Sequence, residues 1–214
     1  MKATFFTWFA LTATACSLGA IESPWINEIH YDNTGTDSGE FVEIAGLAGT
    51  DLSGYSILLY NGSGGALYNT TALTGVIPDL QSGFGTLAFF YAANGIQNGS
   101  PDGLALVNGS DVIQFLSYEG TFTAVGGAAN GVLSTDIGVL EPGDVTGSSL
   151  QLVGTGGKYD DFTWNSEQTA TAGALNTGQV FAGTPVSVPD NGATAALMGL
   201  ALLGLYQFRR LARA

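Results

Sequence analysis

The chain has 214 residues, 32 of them glycine, and a formal net charge of −13 at pH 7. Between Ile21 and Gly192 it contains all eighteen acidic residues and a single basic one, Lys158, so this region carries 17 net negative charges. Such a region repels phosphate backbones and lacks the basic patch that nucleic-acid binding requires, which argues against DNA and RNA as partners.

The first twenty residues have the three parts of a secretory signal peptide. Lys2 precedes an apolar run from Ala3 to Ala15, small residues follow, and cleavage by signal peptidase is expected near Ala20. A lipoprotein signal ending at Cys16 and an uncleaved anchor are the alternatives. Since Cys16 is the only cysteine, the exported domain is expected to contain neither an intrachain disulfide nor a cysteine-based zinc site. We assign residues 1–20 to the signal peptide.

Short segments with period-two alternation follow from Trp25 onward, and Gly-rich turns with Asn-Gly or Asp-Gly pairs separate them. The segments are rich in β-branched and aromatic residues, as expected for strands of a half-buried sheet. Since no helical period is sustained between the termini, residues 21–183 are predicted to form an all-β sandwich. The predicted strands are 25–31, 39–45, 55–61, 86–92, 103–108, 111–118, 149–154 and 161–164.

The opening of this domain contains three motifs in order: Ile-Asn-Glu-Ile at 26–29, Glu-Phe-Val-Glu-Ile at 40–44 and Leu-Ser-Gly-Tyr at 52–55. In this pattern it resembles the bacterial lamin-tail domain, and later stretches extend the resemblance over most of 25–181. The resemblance implies an immunoglobulin-like β-sandwich of a generally non-catalytic kind.

The loop after the first predicted strand concentrates oxygen ligands, because Asp32, Asn33, Asp37 and Glu40 lie within nine residues. Hard oxygen ligands at this density suit calcium, although the spacing is not that of an EF-hand. The alternative, which we favour, is a solvated hairpin loop whose Asp and Asn side chains bond to their own backbone. Asp32, Asp37 and Glu40 are therefore the candidate calcium ligands, and Asp160-Asp161 is a weaker second group.

No catalytic constellation is recognisable in the sequence. His30 is the only histidine, no Gly-x-Ser-x-Gly elbow accompanies it, and it is expected to pack or to face solvent. Glu40 and Glu43 are three residues apart, so on a regular strand they point to opposite faces and make a poor glycosidase pair. We predict no enzyme activity. Aromatic residues suited to a sugar-binding surface are more readily assigned to core packing; they are Trp25, Tyr31, Tyr60, Tyr91 and Trp164.

The C-terminus has three parts: a linker over 184–192, an apolar segment from Ala193 to Phe208, and a basic end. As a helix the apolar segment would be about 24 Å long, a little short of a hydrocarbon core of about 30 Å. Arginine stems can hold their charged heads at the interface, and the basic end is expected to stay in the cytoplasm. We predict a transmembrane helix with a basic tail over 193–214; a buried core helix is the alternative.

The order of these parts is specific. Val188-Pro189-Asp190-Asn191-Gly192, the apolar segment and Arg209-Arg210 resemble the sorting signals of the PEP-CTERM class, and most closely the VPDSG variant, with Asn191 in place of serine. The resemblance implies a Gram-negative bacterium, recognition by a membrane-embedded exosortase, and a mature protein at the cell surface or in an exopolysaccharide matrix.

The leading hypothesis is therefore a secreted, non-catalytic surface or matrix protein with a structural or adhesive role and no resident cofactor. Its expected partners are signal peptidase and exosortase during export, the membrane before processing, and an exopolysaccharide afterwards. The alternative is a calcium- or polysaccharide-binding module. A hydrolase acting on matrix polymers is the third and weakest hypothesis.

Overall fold

A computed structural model describes residues 24–143 and 146–183, which all lie in one compact unit. The predicted signal peptide, the linker with its sorting motif, and the predicted transmembrane helix lie outside these residues. Within the described ranges, no helix is long and apolar enough to cross a bilayer.

The described residues form eleven strands and one 3₁₀ turn. Eight of the strands overlap the predicted ones. The other three, Ala66–Ala72, Thr135–Asp136 and Gln179–Phe181, were not predicted. The strands are β1 (Trp25–His30), β2 (Phe41–Leu47), β3 (Tyr55–Asn61), β4 (Ala66–Ala72), β5 (Phe84–Phe90), β6 (Asp102–Asn108), β7 (Asp111–Tyr118), β8 (Thr135–Asp136), β9 (Ser148–Gly156), β10 (Phe162–Thr169) and β11 (Gln179–Phe181), with the 3₁₀ turn at Tyr159–Asp161.

The strands form two sheets, which confirms the predicted all-β sandwich. The first sheet has the order β10-β9-β1-β2-β5, with β11 pairing in parallel with β9, and the second has the order β4-β3-β6-β7-β8. β1 and β2 pair antiparallel, with a bulge between Ile26 and Glu28 that leaves Glu28 opposite Glu43. This pairing places two carboxylates side by side on one face of the first sheet.

The main core lies between the sheets. Alternate residues of β2, β3, β6 and β9 face inward, as period-two strands require, and they are almost completely buried: Val42, Ile44, Ile57, Leu59, Leu104, Leu106, Leu150 and Leu152. Aromatic rings extend this core where the chain enters and leaves the domain. Trp25 packs with its ring centroid 6.4 Å from that of Phe84 and 6.2 Å from that of Phe181. The first and last strands are therefore joined through one aromatic cluster.

Both outer faces of the sandwich are also covered by chain. Residues 119–134 cross the outside of the second sheet, where Phe122, Ala124 and Ala129 pack on Leu58, Tyr60 and neighbouring apolar residues. Residues 170–178, named here the closing segment, cross the outside of the first sheet and lead into β11. The prediction of half-buried strands is thus wrong for β1, which is buried along its whole length because the closing segment covers its outer face.

Candidate functional site

The outer face of the first sheet is polar and yet buried. Glu28 of β1 is opposite Glu43 of β2 on one side and Gln151 of β9 on the other. All three side chains are fully buried. Because a buried polar group needs hydrogen-bond partners, this face requires a partner that brings donors to it. The closing segment is that partner.

The carboxylate of Glu28 accepts hydrogen bonds from the neighbouring strand β9 and from the closing segment. One oxygen accepts from Ser149 Oγ at 2.6 Å and from Gln151 Nε2 at 3.0 Å. The same oxygen accepts the backbone N–H of Thr171 at 2.8 Å, and the other accepts the Thr171 hydroxyl at 2.9 Å. Glu28 therefore binds the start of the closing segment to the sheet.

Glu43 holds the next turn of the same segment. Its carboxylate accepts from Asn27 Nδ2 at 2.9 Å and from the backbone N–H of Gly173 at 2.6 Å. The two glutamates thus hold backbone amides two residues apart. We name Glu28, Glu43, Thr171 and Gly173 the carboxylate clasp.

Amide side chains fix the rest of the closing segment. Asn176 Nδ2 donates to the carbonyls of Asn27 and Leu152, at 3.1 and 3.0 Å. Gln179 and Asn27 exchange two side-chain hydrogen bonds, of 2.7 and 3.2 Å. Every one of these bonds joins the beginning of the domain, or a central strand, to its last residues. The clasp and the amides together form one buried polar network.

Burial changes the protonation of the clasp. It raises the pKa of Glu43 to about 8, and the neighbouring charge of Glu28 acts in the same direction, while bonds from Asn27 and Gly173 oppose it. Burial also raises the pKa of Glu28. Such perturbed carboxylates resemble those of acid–base catalysts, but structural networks perturb pKa values too. Here both groups are covered, and contact with a substrate would require the closing segment to move.

Of the three predicted calcium ligands, Asp32 and Asp37 lie together, and Glu40 has separate partners. Asn98 Nδ2 lies 3.1 Å from Asp32 Oδ1 and 3.3 Å from Asp37 Oδ2, so these two carboxylates share one amide. Glu40 instead accepts the backbone N–H groups of Gly95 and Ile96, at 2.8 and 2.9 Å.

Desolvation raises the pKa of Asp32, and the charge of Asp37 contributes to the rise. In the weaker candidate group, the Asp161 carboxylate accepts the amides of Gly157 and Lys158. The described residues contain no group of three or more His, Cys, Asp or Glu side chains arranged to hold a metal ion. Calcium binding by Asp32, Asp37 and Glu40 stays a prediction.

His30 is buried, in agreement with the packing alternative, and its environment is polar. Its Nδ1 lies 2.9 Å from Glu141 Oε1, in the one ion pair found among the described residues. Burial alone would lower the pKa of His30, but the hydrogen bond and charge of Glu141 outweigh it, and the pKa is raised. Glu141 also accepts the backbone N–H groups of Tyr31 and Asp32, at 2.6 and 2.9 Å. The pair therefore supports the loop that carries the calcium candidates.

The aromatic residues considered for a sugar-binding surface are mostly in the core. Trp25, Tyr31, Tyr60 and Trp164 are at most 9 % exposed, which confirms packing as their role. Tyr91 is partly buried and packs against the same core.

Comparison with known proteins identifies the C-terminus. A family model described as the VPDSG-CTERM motif matches residues 187–211. The predicted sorting residues, from Val188 to Gly192 together with Arg209 and Arg210, all lie within the match. The chain thus carries a C-terminal VPDSG-CTERM sorting motif, which implies exosortase processing and export to the cell surface. No curated protein and no solved structure matches the chain significantly.

The pKa of Glu43 predicts an unusual dependence of stability on pH. The ordinary pKa of a glutamate is 4.5, and in the folded state that of Glu43 is about 8. Between these two pH values, Glu43 keeps a proton in the folded state that it has lost in the unfolded chain. Stability is therefore greatest at mildly acidic pH and falls as the pH rises towards 8, by on the order of a few kcal/mol. Urea titrations of the full chain in a non-ionic detergent, at pH 5 to 8.5, measure this slope.

Glu43→Gln is the matched variant, since it keeps the side-chain shape and removes the ionisable group. Its unfolding free energy should fall less steeply over the same range. The residual slope comes from the other groups with raised pKa values, which act in the same direction; they are Glu28, His30, Asp32 and Glu40. A wild-type free energy that rises from pH 5 to 8.5, or an unchanged slope in the variant, contradicts the assignment.

Proposed function

We propose that this protein is a secreted, non-catalytic domain that exosortase delivers to the cell surface or the surrounding polymer matrix, where it has a structural or adhesive role. The observation that carries the proposal is the VPDSG-CTERM match at residues 187–211. A turn motif, an apolar segment and a basic end in this order hold a substrate at the membrane beside its processing enzyme. The positive charge of the tail serves delivery, and the domain itself is acidic.

The resemblance of 26–55 to the bacterial lamin-tail domain supports a non-catalytic role, and we propose an immunoglobulin-like relationship on that basis. The contacts of the carboxylates fit this proposal. Glu28 and Glu43 are used to hold the closing segment, Glu40 binds the 95–96 turn, and Glu141 pairs with His30. Each of these acids has a structural partner, so none needs a substrate to explain its burial.

Processing by exosortase is tested in the native cell. Intact mass of the protein recovered from the surface or matrix fraction should show a C-terminus lacking Arg209 and Arg210. Asp190→Ala should leave full-length protein in the membrane fraction, because the motif loses its only charge. Asn191→Ser restores the family residue at the neighbouring position and should be processed like the wild type. Recovery of the intact arginine-containing tail from the extracellular fraction contradicts the proposal.

A calcium-binding role is the second candidate, and it is supported by the proximity of Asp32 and Asp37, whose carboxylates both lie within 3.3 Å of Asn98 Nδ2. A ligand that binds only the folded state raises its melting temperature. On this hypothesis, millimolar calcium should raise the melting temperature of the full chain in detergent, and Asp37→Asn should remove the increase. An unchanged melting temperature in the wild type rules out strong calcium linkage.

A further inference from the structure

A cleft is lined by residues from an edge of the second sheet and an edge of the first. Its volume is about 450 Å³, within the range of small-molecule sites. It is lined by Glu119, Asp136, Gly138, Val139, Leu140 and Ser166. Asp136 belongs to the edge strand β8 and Ser166 to the edge strand β10. Both sheets therefore contribute to one concave surface.

Both edge strands that border the cleft are irregular. β8 has only two residues, and its pairing with β7 covers Leu116 and Ser117 alone. On the opposite wall, the β9–β10 register shifts between Asn165 and Gln168, next to Ser166. Bulges at sheet edges commonly redirect side chains or end the pairing. The cleft lies at these irregular edges.

The cleft carries two carboxylates that have few partners. Asp136 is exposed, and its carboxylate accepts the backbone N–H of Gly138 at 2.9 Å. Glu119 accepts a long bond of 3.4 Å from the Tyr31 hydroxyl. Among the described residues neither acid is paired with a cation. Two largely free carboxylates in one cleft attract a positively charged ligand.

The remaining wall is apolar, with a hydroxyl opposite. Leu140 is 45 % exposed, and Val139 beside it is partly buried. Ser166 is partly buried, and the described residues give its hydroxyl no hydrogen-bond partner. An exposed apolar surface beside acceptors suits a ligand with a C–H face and several polar hydrogens.

The backbone at Glu119 is also unusual. Its φ of 63° lies in the left-handed region, which costs a non-glycine residue roughly 1 kcal/mol or more. Residue types with a short polar side chain, or glycine, normally occupy such positions. The neighbouring Gly120 absorbs a positive φ of 126° without this cost. The backbone conformation at position 119 does not favour glutamate, yet a glutamate there places its carboxylate at the cleft.

We infer that this cleft binds an amine-bearing sugar unit of an extracellular polysaccharide. The ammonium group would lie between Glu119 and Asp136, ring hydroxyls would bond to the remaining carboxylate oxygens and to Ser166, and a C–H face would contact Val139 and Leu140. A rigid ring loses less conformational entropy than a lysine side chain on a four-carbon stem, which favours a sugar over a basic peptide. The inference deepens the proposed function and rests on it for the extracellular source of the sugar, whereas binding of the sugar itself is a property of the folded domain and is tested without export.

Isothermal titration of the full chain in a non-ionic detergent, at low ionic strength, tests the inference with three probes. They are a glucosamine trisaccharide, its N-acetylated equivalent and tetralysine. The glucosamine trisaccharide should bind saturably at one site. The acetylated sugar loses the charge-assisted contact and tetralysine loses the ring contacts, so each should bind at least about tenfold more weakly. Equal binding of the acetylated sugar or of tetralysine overturns the assignment.

Variants locate the site. Asp136→Asn and Glu119→Gln should each weaken binding of the glucosamine trisaccharide about tenfold, and Leu140→Ala should weaken it without a change of charge. Asp111→Asn is the matched control, because it removes one exposed charge at the other end of β7. Asp111 lies about 20 Å along the strand from Ser117, which pairs with Asp136. The control should bind like the wild type. No saturable binding, or equal weakening in the control, contradicts the inference.

Discussion

This domain depends on the hydrogen bonds that the buried carboxyl groups of Glu28 and Glu43 accept from the backbone amides of Thr171 and Gly173. They join residues 143 and 130 positions apart in the chain. If these bonds were lost while the closing segment stayed in place, both acids would remain buried with fewer donors, and the desolvation of these polar groups would be less well compensated. The clasp thus closes the fold over its own N-terminal strands.

The clasp also shows how a nearly cation-free domain buries acids. With Lys158 as the only basic residue between Ile21 and Gly192, carboxylates cannot rely on salt bridges. Backbone and side-chain donors satisfy them instead, as at Glu40 and Glu28, and Glu43 additionally retains a proton up to about pH 8. His30 and Glu141 form the single described exception. A strongly acidic domain can therefore contain a sheet face from which water is excluded.

The class of fold could be predicted from the sequence, because eight strands have clear alternation between turn signals. β4 was missed since Ala-Leu-Tyr-Asn-Thr-Thr-Ala lacks an apolar period, and β11 since three residues carry no recognisable pattern. The burial of Glu28 and Glu43 was beyond reach, because their partners are amides of a distant loop and spacing along the chain does not show such contacts. The same holds for Glu141, which is 111 residues from His30.

The sorting motif was predictable because its parts are contiguous in sequence, whereas the cleft is built from three separate segments. Amide hydrogen exchange at Thr171 and Gly173 tests the central claim most directly, since both amides lie in a loop without regular secondary structure. If the clasp closes the domain, both should exchange nearly as slowly as the amides of β9, and far more slowly than that of the exposed loop residue Gly35. Exchange at Thr171 and Gly173 as fast as at Gly35 would contradict the account.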